Sequence, residues 1–272
     1  MKKKLRVYLP FMENEFKRNL AYKGSFYLFM LCWLFTPFIN YYLWMAIYGS
    51  SDGSMLGGLT KDEMVVYVFM SYVTTQMVFV SISDYIADHV TEGSVVMNLI
   101  KPINYRMSLI SQALGTMLYR FFAPTIFVWV GVEIYKAKVL GMGITPLPNI
   151  LCYIVSVIMS FLIFVLFDFC FGMVAFVTTY MYGMQLIKEA LIGFLSGELI
   201  PISFFPVVMQ RVFDFMPFSS MVYAPVMIYL GKYTGSALMF AMARQLVWVV
   251  FLYVLGSVLW NRVTRRLVVL GG

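Results

Sequence analysis

The feature that most constrains this chain is a long stretch without a charged side chain, residues 24–51. An α-helix crosses the hydrocarbon core of a bilayer with about 20 predominantly apolar residues. The stretch is longer than one crossing requires, so we place a first transmembrane span at residues 24–48. A chain built around such a segment is expected to lie in a membrane.

The composition of the whole chain agrees with this expectation. Of the 272 residues, 61% are hydrophobic and 12% are charged, and the mean hydropathy is +0.83. Soluble domains carry about 25% charged residues. The net charge of +7 is interpreted as membrane topology, because no Lys/Arg patch alternates with aromatic residues outside the predicted spans. We therefore expect a lipid bilayer as a partner and no nucleic acid.

Further runs with few charges predict an all-α integral membrane protein with six transmembrane helices in a single domain, residues 1–272. The spans are placed at residues 24–48, 64–83, 107–132, 148–180, 184–200 and 237–261. Residues 1–23 predict an amphipathic interfacial helix with basic residues at both ends. We favour a position on the membrane surface over a lateral brace against the bundle. Its internal charges are unlike those of a cleavable signal peptide, so it is expected to stay attached.

Residues 84–106 form the longest polar segment between the apolar runs and predict one amphipathic helix. Three carboxylates recur at i, i+4 and i+8 and would share one face: Asp84, Asp88 and Glu92. Apolar residues fall on another stripe: Ile86, Val90, Met97 and Ile100. Lys101-Pro102 would end the helix, because proline cannot continue it. Such a helix lies on the membrane or docks into a groove of a partner; an interfacial loop without a partner is the alternative.

Both ends of the chain are basic, so the positive-inside rule places both in the cytoplasm and requires an even number of crossings. With six crossings, 14 of the 20 Lys and Arg residues lie on the cytoplasmic side, and residues 84–106 lie there too. Residues 201–218 would then face outward. This segment is apolar but interrupted by prolines, and broken backbone at membrane depth is tolerated only where protein or a cavity covers it. It predicts re-entrant helices, with a hydrophobic surface loop as the alternative.

Among the ionisable residues within the predicted spans, we single out Arg120 and Asp168. Arg120 lies within residues 107–132, where arginine is costly and usually snorkels or pairs. We favour snorkelling over a functional role for it. Asp168 lies within residues 148–180 and is expected to face the bundle near the inner leaflet, with Arg120 suggested as its partner.

Motifs of several enzyme and metal-binding classes are missing. The single Gly-Lys pair, Gly231-Lys232, lacks both the upstream glycine and the Ser/Thr of a P-loop. The chain is therefore not expected to hold ATP in this way. His89 is the only histidine, and the three cysteines form no C-x-x-C pair. We therefore name no catalytic residue, no metal ligand and no cofactor of this chain.

The order of parts resembles the type-2 permease family of ABC exporters, in particular the bacterial branch named ABC-2 family transporter proteins. The resemblance covers nearly the whole chain, from the amphipathic amino-terminal helix to the basic tail. Two local stretches carry it most specifically. The first is Glu92-Gly93-Ser94 followed by Leu99-Ile100-Lys101-Pro102-Ile103, and the second is Ser196-Gly197 followed by Pro201, Phe205-Pro206, Met216-Pro217-Phe218 and Pro225.

This resemblance implies the permease half of an exporter in a bacterial plasma membrane, beside a second permease that is either a copy or a sister chain. Separate P-loop ATPase subunits would bind ATP and Mg²⁺ and drive a reorientation of the bundle. The resemblance implies an ATPase interface at Asp84, Asp88, His89, Glu92, Gly93, Lys101 and Pro102. It implies an outer gate at Gly197, Glu198, Pro201, Phe204, Phe205 and Pro206.

Three other classes of protein compete with this interpretation. The first is a stand-alone ion-coupled secondary transporter or channel, in which Asp168 and Glu198 would carry the coupling ions. The second is a membrane scaffold, which would show no transport. A membrane-embedded enzyme ranks last, because no cluster of nucleophile, base and orienting residue can be named.

Overall fold

The computed structural model shows a helical protein and describes residues 6–21, 23–51, 55–178 and 180–270. The first half contains α1 (Leu9–Ala21), α2 (Lys23–Gly49), β1 (Met55–Leu56), β2 (Leu59–Thr60), α3 (Lys61–Val78), α4 (Ser83–Thr91), α5 (Val95–Ile100), α6 (Tyr105–Arg120), a π-helical turn (Phe121–Thr125) and α7 (Ile126–Lys138). The second half contains α8 (Leu147–Gly172), α9 (Tyr182–Leu195), α10 (Val207–Phe215), α11 (Tyr223–Tyr229), α12 (Gly235–Leu270) and three 3-10 turns (Met173–Phe176, Ile202–Phe204 and Phe218–Ser220).

A short antiparallel hairpin leads into α3. Met55 pairs with Thr60, and Leu56 pairs with Leu59. The Thr60 hydroxyl accepts a hydrogen bond from the backbone N–H of Glu63 at 3.3 Å, and the Glu63 carboxylate accepts one from the backbone N–H of Thr60 at 2.9 Å. This capping box satisfies two N–H groups that would otherwise lack partners, and a cap of this kind is worth about 1 kcal/mol.

The core lies where α3, α8 and α11 pack together. All of α11 and most of α3 are buried. Large aromatic side chains fill the contact, among them Tyr67, Tyr153 and Phe161, which are fully buried. By contrast, α2 and α12 expose many apolar side chains, as helices facing lipid do. The helix α3 therefore runs through the middle of the molecule, and α2 and α12 lie at its periphery.

Within the described residues, three helical stretches are long and apolar enough to cross a membrane: Lys61–Thr91, Leu147–Phe176 and Gly235–Arg265. A fourth is obtained if α10 and residues Phe218–Tyr229, bent by 78° at their break, form one broken span; the alternative for this pair is a re-entrant loop. The helical membrane fold is thus confirmed. The count of six crossings stays a prediction.

Several helices differ in length from the predicted spans. The span predicted at residues 107–132 falls within a longer path, Tyr105–Lys138, in which the π-helical turn joins α6 to α7. That turn contains Pro124, which has no N–H to donate to the regular helix pattern. The span predicted at residues 148–180 is too long, because α8 ends at Gly172 and a 3-10 turn follows.

The single helix predicted over residues 84–106 is wrong. The chain forms α4 and α5, separated by a turn in which Gly93 has a φ of +71°. An α-helix cannot continue through this left-handed conformation. The break also divides the expected apolar stripe, because Ile86 is buried whereas Met97 and Ile100 are exposed. The predicted stop is confirmed, since α5 ends at Ile100, directly before Lys101-Pro102.

The amino-terminal helix α1 packs against α6, which is the lateral brace that sequence reasoning did not favour. Gly115 of α6 permits a close approach, because a Cβ atom there would lie 2.3 Å from the carbonyl oxygen of Met12. Glu15 is buried in this contact and accepts hydrogen bonds from Arg18 at 2.6 Å and Thr116 at 3.3 Å. Contact of α1 with lipid headgroups stays a prediction.

Candidate functional site

The turn-linked helices α4 and α5, which we call the coupling segment (residues 83–100), present one surface with both charged and apolar groups. Six of the seven residues expected at an ATPase interface are exposed: Asp84, Asp88, Glu92, Gly93, Lys101 and Pro102. Beside them, α5 exposes three apolar side chains: Val96 (56%), Met97 (63%) and Ile100 (70%). A surface of this kind, carboxylates next to exposed aliphatic side chains, can dock into a groove with basic edges.

The seventh residue, His89, holds the coupling segment to the bundle. Its Nδ1 lies 2.8 Å from the hydroxyl of Tyr105, the first residue of α6. The side chain is half-buried, and burial lowers the pKa of His89 from its ordinary value. His89 is therefore a contact between α4 and α6, and only part of it faces outward.

A buried carboxylate fixes the start of the coupling segment. Asp168 of α8 accepts hydrogen bonds on Oδ2 from the backbone N–H groups of Ile82 at 2.6 Å and Ser83 at 2.7 Å. These are N–H groups at the beginning of α4, which the helix itself leaves without partners and which favour an anion. Lys188 of α9 donates to the other oxygen, Oδ1, at 2.6 Å.

Asp168 thus lies inside the bundle, where the sequence placed it, but its ionic partner in the structure is Lys188. The Lys188 ammonium also donates to Ser83 Oγ at 2.8 Å. Arg120, the suggested partner, donates to the carbonyl oxygen of Phe79 at 2.9 Å. Sequence reasoning used Lys188 only for topology. The available signal was that Asp168 and Lys188 each interrupt an apolar run.

A polar cavity of about 360 Å³ lies beside this cluster. Its walls come from α2, α3, α6, α8 and α9 and from the residues that follow α9. The ionisable side chains among its lining residues are Arg120, Lys188, Glu189 and Glu198. Ionisable groups inside a membrane protein are costly and usually line a substrate or ion pathway. The cavity is therefore the candidate pathway within this chain, and it includes one residue of the predicted outer gate.

The rest of the predicted outer gate packs around the end of α9. The Tyr67 hydroxyl of α3 donates to the carbonyl oxygen of Gly197 at 2.5 Å, and both residues are buried. Phe204 packs on Trp44 of α2, with ring centroids 4.7 Å apart. Phe205 makes edge contacts with aromatic rings of α9 and α10, namely Phe194 and Phe213. Pro201 is buried and Pro206 is exposed.

Of the predicted gate, Glu198 lines the cavity, whereas Phe204 and Phe205 belong to an aromatic cluster with Trp44, Phe194 and Phe213. The coupling segment also lies close to the cavity, because Ser81, two residues before α4, lines it. The structure thus brings together Glu198 and Arg120 in one cavity, although they belong to two separate groups of predicted residues. The residues predicted for the ATPase interface and those predicted for the outer gate belong to different segments of the chain, residues 84–102 and 197–206.

Comparison with known proteins identifies one protein family. A family model described as "ABC-2 family transporter protein" matches residues 32–271. No curated protein and no solved structure matches the chain. The family match begins within α2 and covers the coupling segment, the buried Asp168–Lys188 pair, the cavity and the aromatic cluster.

Proposed function

The chain belongs to the ABC-2 family transporter proteins, and on this basis we propose that it is the permease half of an ATP-driven exporter in a bacterial plasma membrane. Membership confirms the resemblance drawn from the order of parts. It makes the chain a membrane permease of ABC-type transport, a class of subunit that is generally non-enzymatic and works with an ABC ATPase.

In the proposed assembly, P-loop ATPase subunits bind ATP and Mg²⁺, and two permeases, identical or sister chains, stand side by side. Both chain ends lie in the cytoplasm. The absence of a P-loop sequence from the chain supports the division of labour, because hydrolysis then needs a separate subunit.

The observation that carries the proposal is the exposed surface of the coupling segment. Its carboxylates Asp88 and Glu92 and its aliphatic side chains Val96, Met97 and Ile100 face away from the bundle. Exposed apolar groups rimmed by charges mark an interaction site. We assign this surface to the groove of the ATPase, with Asp88 and Glu92 against basic groups of the partner.

Transport would use the polar cavity, with the aromatic cluster around Phe204 and Phe205 as the outer gate. ATP binding would favour one orientation of the bundle, because the ATPase holds the coupling segment differently in its open and closed states. The outward direction of transport follows from the resemblance to exporters.

The decisive experiment purifies the protein from native membranes in a mild detergent, identifies the subunits that purify with it, and assays ATP hydrolysis. We expect a P-loop ATPase in fixed stoichiometry. The double variant Asp88→Arg/Glu92→Arg should lose it while still inserting into the membrane, because two attractive charges become repulsive. Asp62→Arg serves as the control, since this exposed carboxylate lies at the far end of α3.

Two outcomes would contradict the proposal. A protein that purifies alone and transports without nucleotide would be an ion-coupled transporter, with Glu198 of the cavity as the first residue to test. Retention of the ATPase by the Asp88→Arg/Glu92→Arg variant would remove the coupling segment from the interface.

A further inference from the structure

We propose that Asp168, Lys188 and the N–H groups of Ile82 and Ser83 form a latch that transmits movement of the coupling segment to α9 and so to the wall of the polar cavity. The inference rests on the proposed function, because it needs a partner that moves the coupling segment. It assigns positioning roles to two residues that touch neither the ATPase nor the gate.

The latch joins three helices through mutual contacts. Asp168 belongs to α8, Lys188 to α9, and Ser83 is the first residue of α4. Each contacts the other two: Asp168 accepts from the Ser83 N–H at 2.7 Å and from Lys188 at 2.6 Å, and Lys188 donates to Ser83 Oγ at 2.8 Å. A displacement of α4 along its axis therefore pulls on both other helices.

Burial makes this attachment stiff. The side chains of Asp168 and Lys188 are 0% and 4% exposed. Separating such a pair leaves a charge without a partner in a medium of low polarity, which is strongly unfavourable. Movements that keep the pair together are therefore strongly preferred over movements that separate it. For this reason α8 and α9 should stay together and move with α4, which Asp168 holds through the N–H groups of Ile82 and Ser83 and Lys188 holds through Ser83 Oγ.

The geometry of α9 shows where such a movement would arrive. Lys188 is itself a lining residue of the cavity. The next residue, Glu189, also lines it, and so does Ile192, which lies one turn further along α9. A second contact supports the first, since the Gln185 side chain donates to the Asp84 carboxylate of α4. Other faces of α9 are exposed, for example at Ile187 and Leu191. The face that carries Lys188 is therefore the one through which α9 contacts α4 and α8.

The test measures the cavity wall directly in the purified complex of this protein with its ATPase. The three native cysteines are replaced by serine, and Glu189→Cys is introduced as an accessible reporter on α9. The rate of maleimide labelling is compared with and without a non-hydrolysable ATP analogue. With the latch intact, we expect nucleotide to change the rate by about 5- to 150-fold, the range typical of coupling between two sites.

Lys188→Gln should abolish this nucleotide response while the ATPase subunit stays bound and still binds nucleotide. Lys188→Arg, which retains charge and donors, should keep most of it. Lys232→Gln is the matched control. It removes the ion pair between Lys232 and Glu63, which are 2.7 Å apart and lie outside the latch. Its response should equal that of the unmodified latch.

If Lys188→Gln fails to assemble, Ser83→Ala decides the question. This change removes the bond from Lys188 to Ser83 Oγ, together with the contact between Ser83 Oγ and Ser81 Oγ at 3.2 Å, and should lower the response in part. A full response in Lys188→Gln, or in Ser83→Ala where the first variant does not assemble, overturns the latch and leaves the proposed function standing. If no ATPase purifies with the protein, the proposed function fails first and the latch fails with it.

Discussion

At the scale of single residues, buried carboxylates determine how the helices of this protein are joined. Asp168 of α8 pairs with Lys188 of α9 at 2.6 Å, and Glu15 of α1 accepts a hydrogen bond from Thr116 of α6 at 3.3 Å. The sequence correctly placed Asp168 inside the bundle, because an isolated aspartate in an apolar run can hardly face lipid. It could not identify Lys188 as the partner, since the pairing depends on how α8 and α9 are rotated about their axes.

A residue-scale prediction concerns Gly197. Its φ is +83°, and a Cβ atom there would lie 2.9 Å from the Cβ of Tyr223. Gly197→Ala should therefore lower the free energy of unfolding by about 3 kcal/mol, from the strained backbone and from crowding together. Thermal unfolding in detergent measures this.

Gly143→Ala is the control for Gly197→Ala. It shares the positive φ, at +71°, but a Cβ atom there has nothing within 4 Å. Gly143→Ala should therefore lower the free energy of unfolding by about 1 kcal/mol, the contribution of the strained backbone alone. Equal losses in the two variants would mean that the contact with Tyr223 does not matter.

At the scale of elements, the sequence indicated most helices, and it failed where the chain bends or packs sideways. The span predicted at residues 24–48 lies inside α2, because length and hydropathy alone define such a helix. The break between α4 and α5 was missed, since one glycine in a short polar segment is compatible with a continuous helix as well as with a turn. The contact of α1 with α6 was not favoured, because an amphipathic stripe does not say whether lipid or protein covers it.

An element-scale prediction follows from this contact. Gly115→Ala should push α1 away from α6, since the added Cβ would lie 2.3 Å from a backbone oxygen. We expect the free energy of local opening of α1 to fall by about 1.4 kcal/mol, which raises the population of the open form about tenfold. Trypsin should then cleave α1 at Lys17 and Arg18 about tenfold faster. The rate of this cleavage in detergent is the measurement.

Gly131→Ala provides the matched helical glycine, in α7. A Cβ atom there meets nothing within 4 Å, so the change should leave the cleavage of α1 as it is. If Gly115→Ala also leaves it unchanged, α1 does not depend on its packing against α6.

At the scale of the whole molecule, the arrangement separates a cavity lined in part by ionisable groups from an apolar outer surface. The ionisable groups Arg120, Lys188, Glu189 and Glu198 line one cavity, whereas α2 and α12 expose apolar side chains at the periphery. The distribution of Lys and Arg predicted the orientation of the chain, and charge patterns carry that information. They carry none about the cavity, because its residues come from five helices that are distant in sequence.

The predicted orientation has a direct test in intact cells. In a cysteine-free background, a membrane-impermeant maleimide should label Lys138→Cys at once, and Val96→Cys only after permeabilisation. Both positions are exposed, so access to the reagent depends on the side of the membrane. The opposite pattern would invert the topology and place the coupling segment outside.

The backbone contacts of Asp168 have a consequence for how such a permease can change its partner. Asp168 holds α4 through main-chain N–H groups, which every residue except proline possesses. Under the proposed function, exposed side chains such as Asp88 and Glu92 can therefore be exchanged to match a different ATPase with these main-chain hydrogen bonds left in place. Grafting the exposed surface of α4 and α5 onto another permease would accordingly be a way to pair that permease with a different ATPase, while its buried contacts stay unchanged.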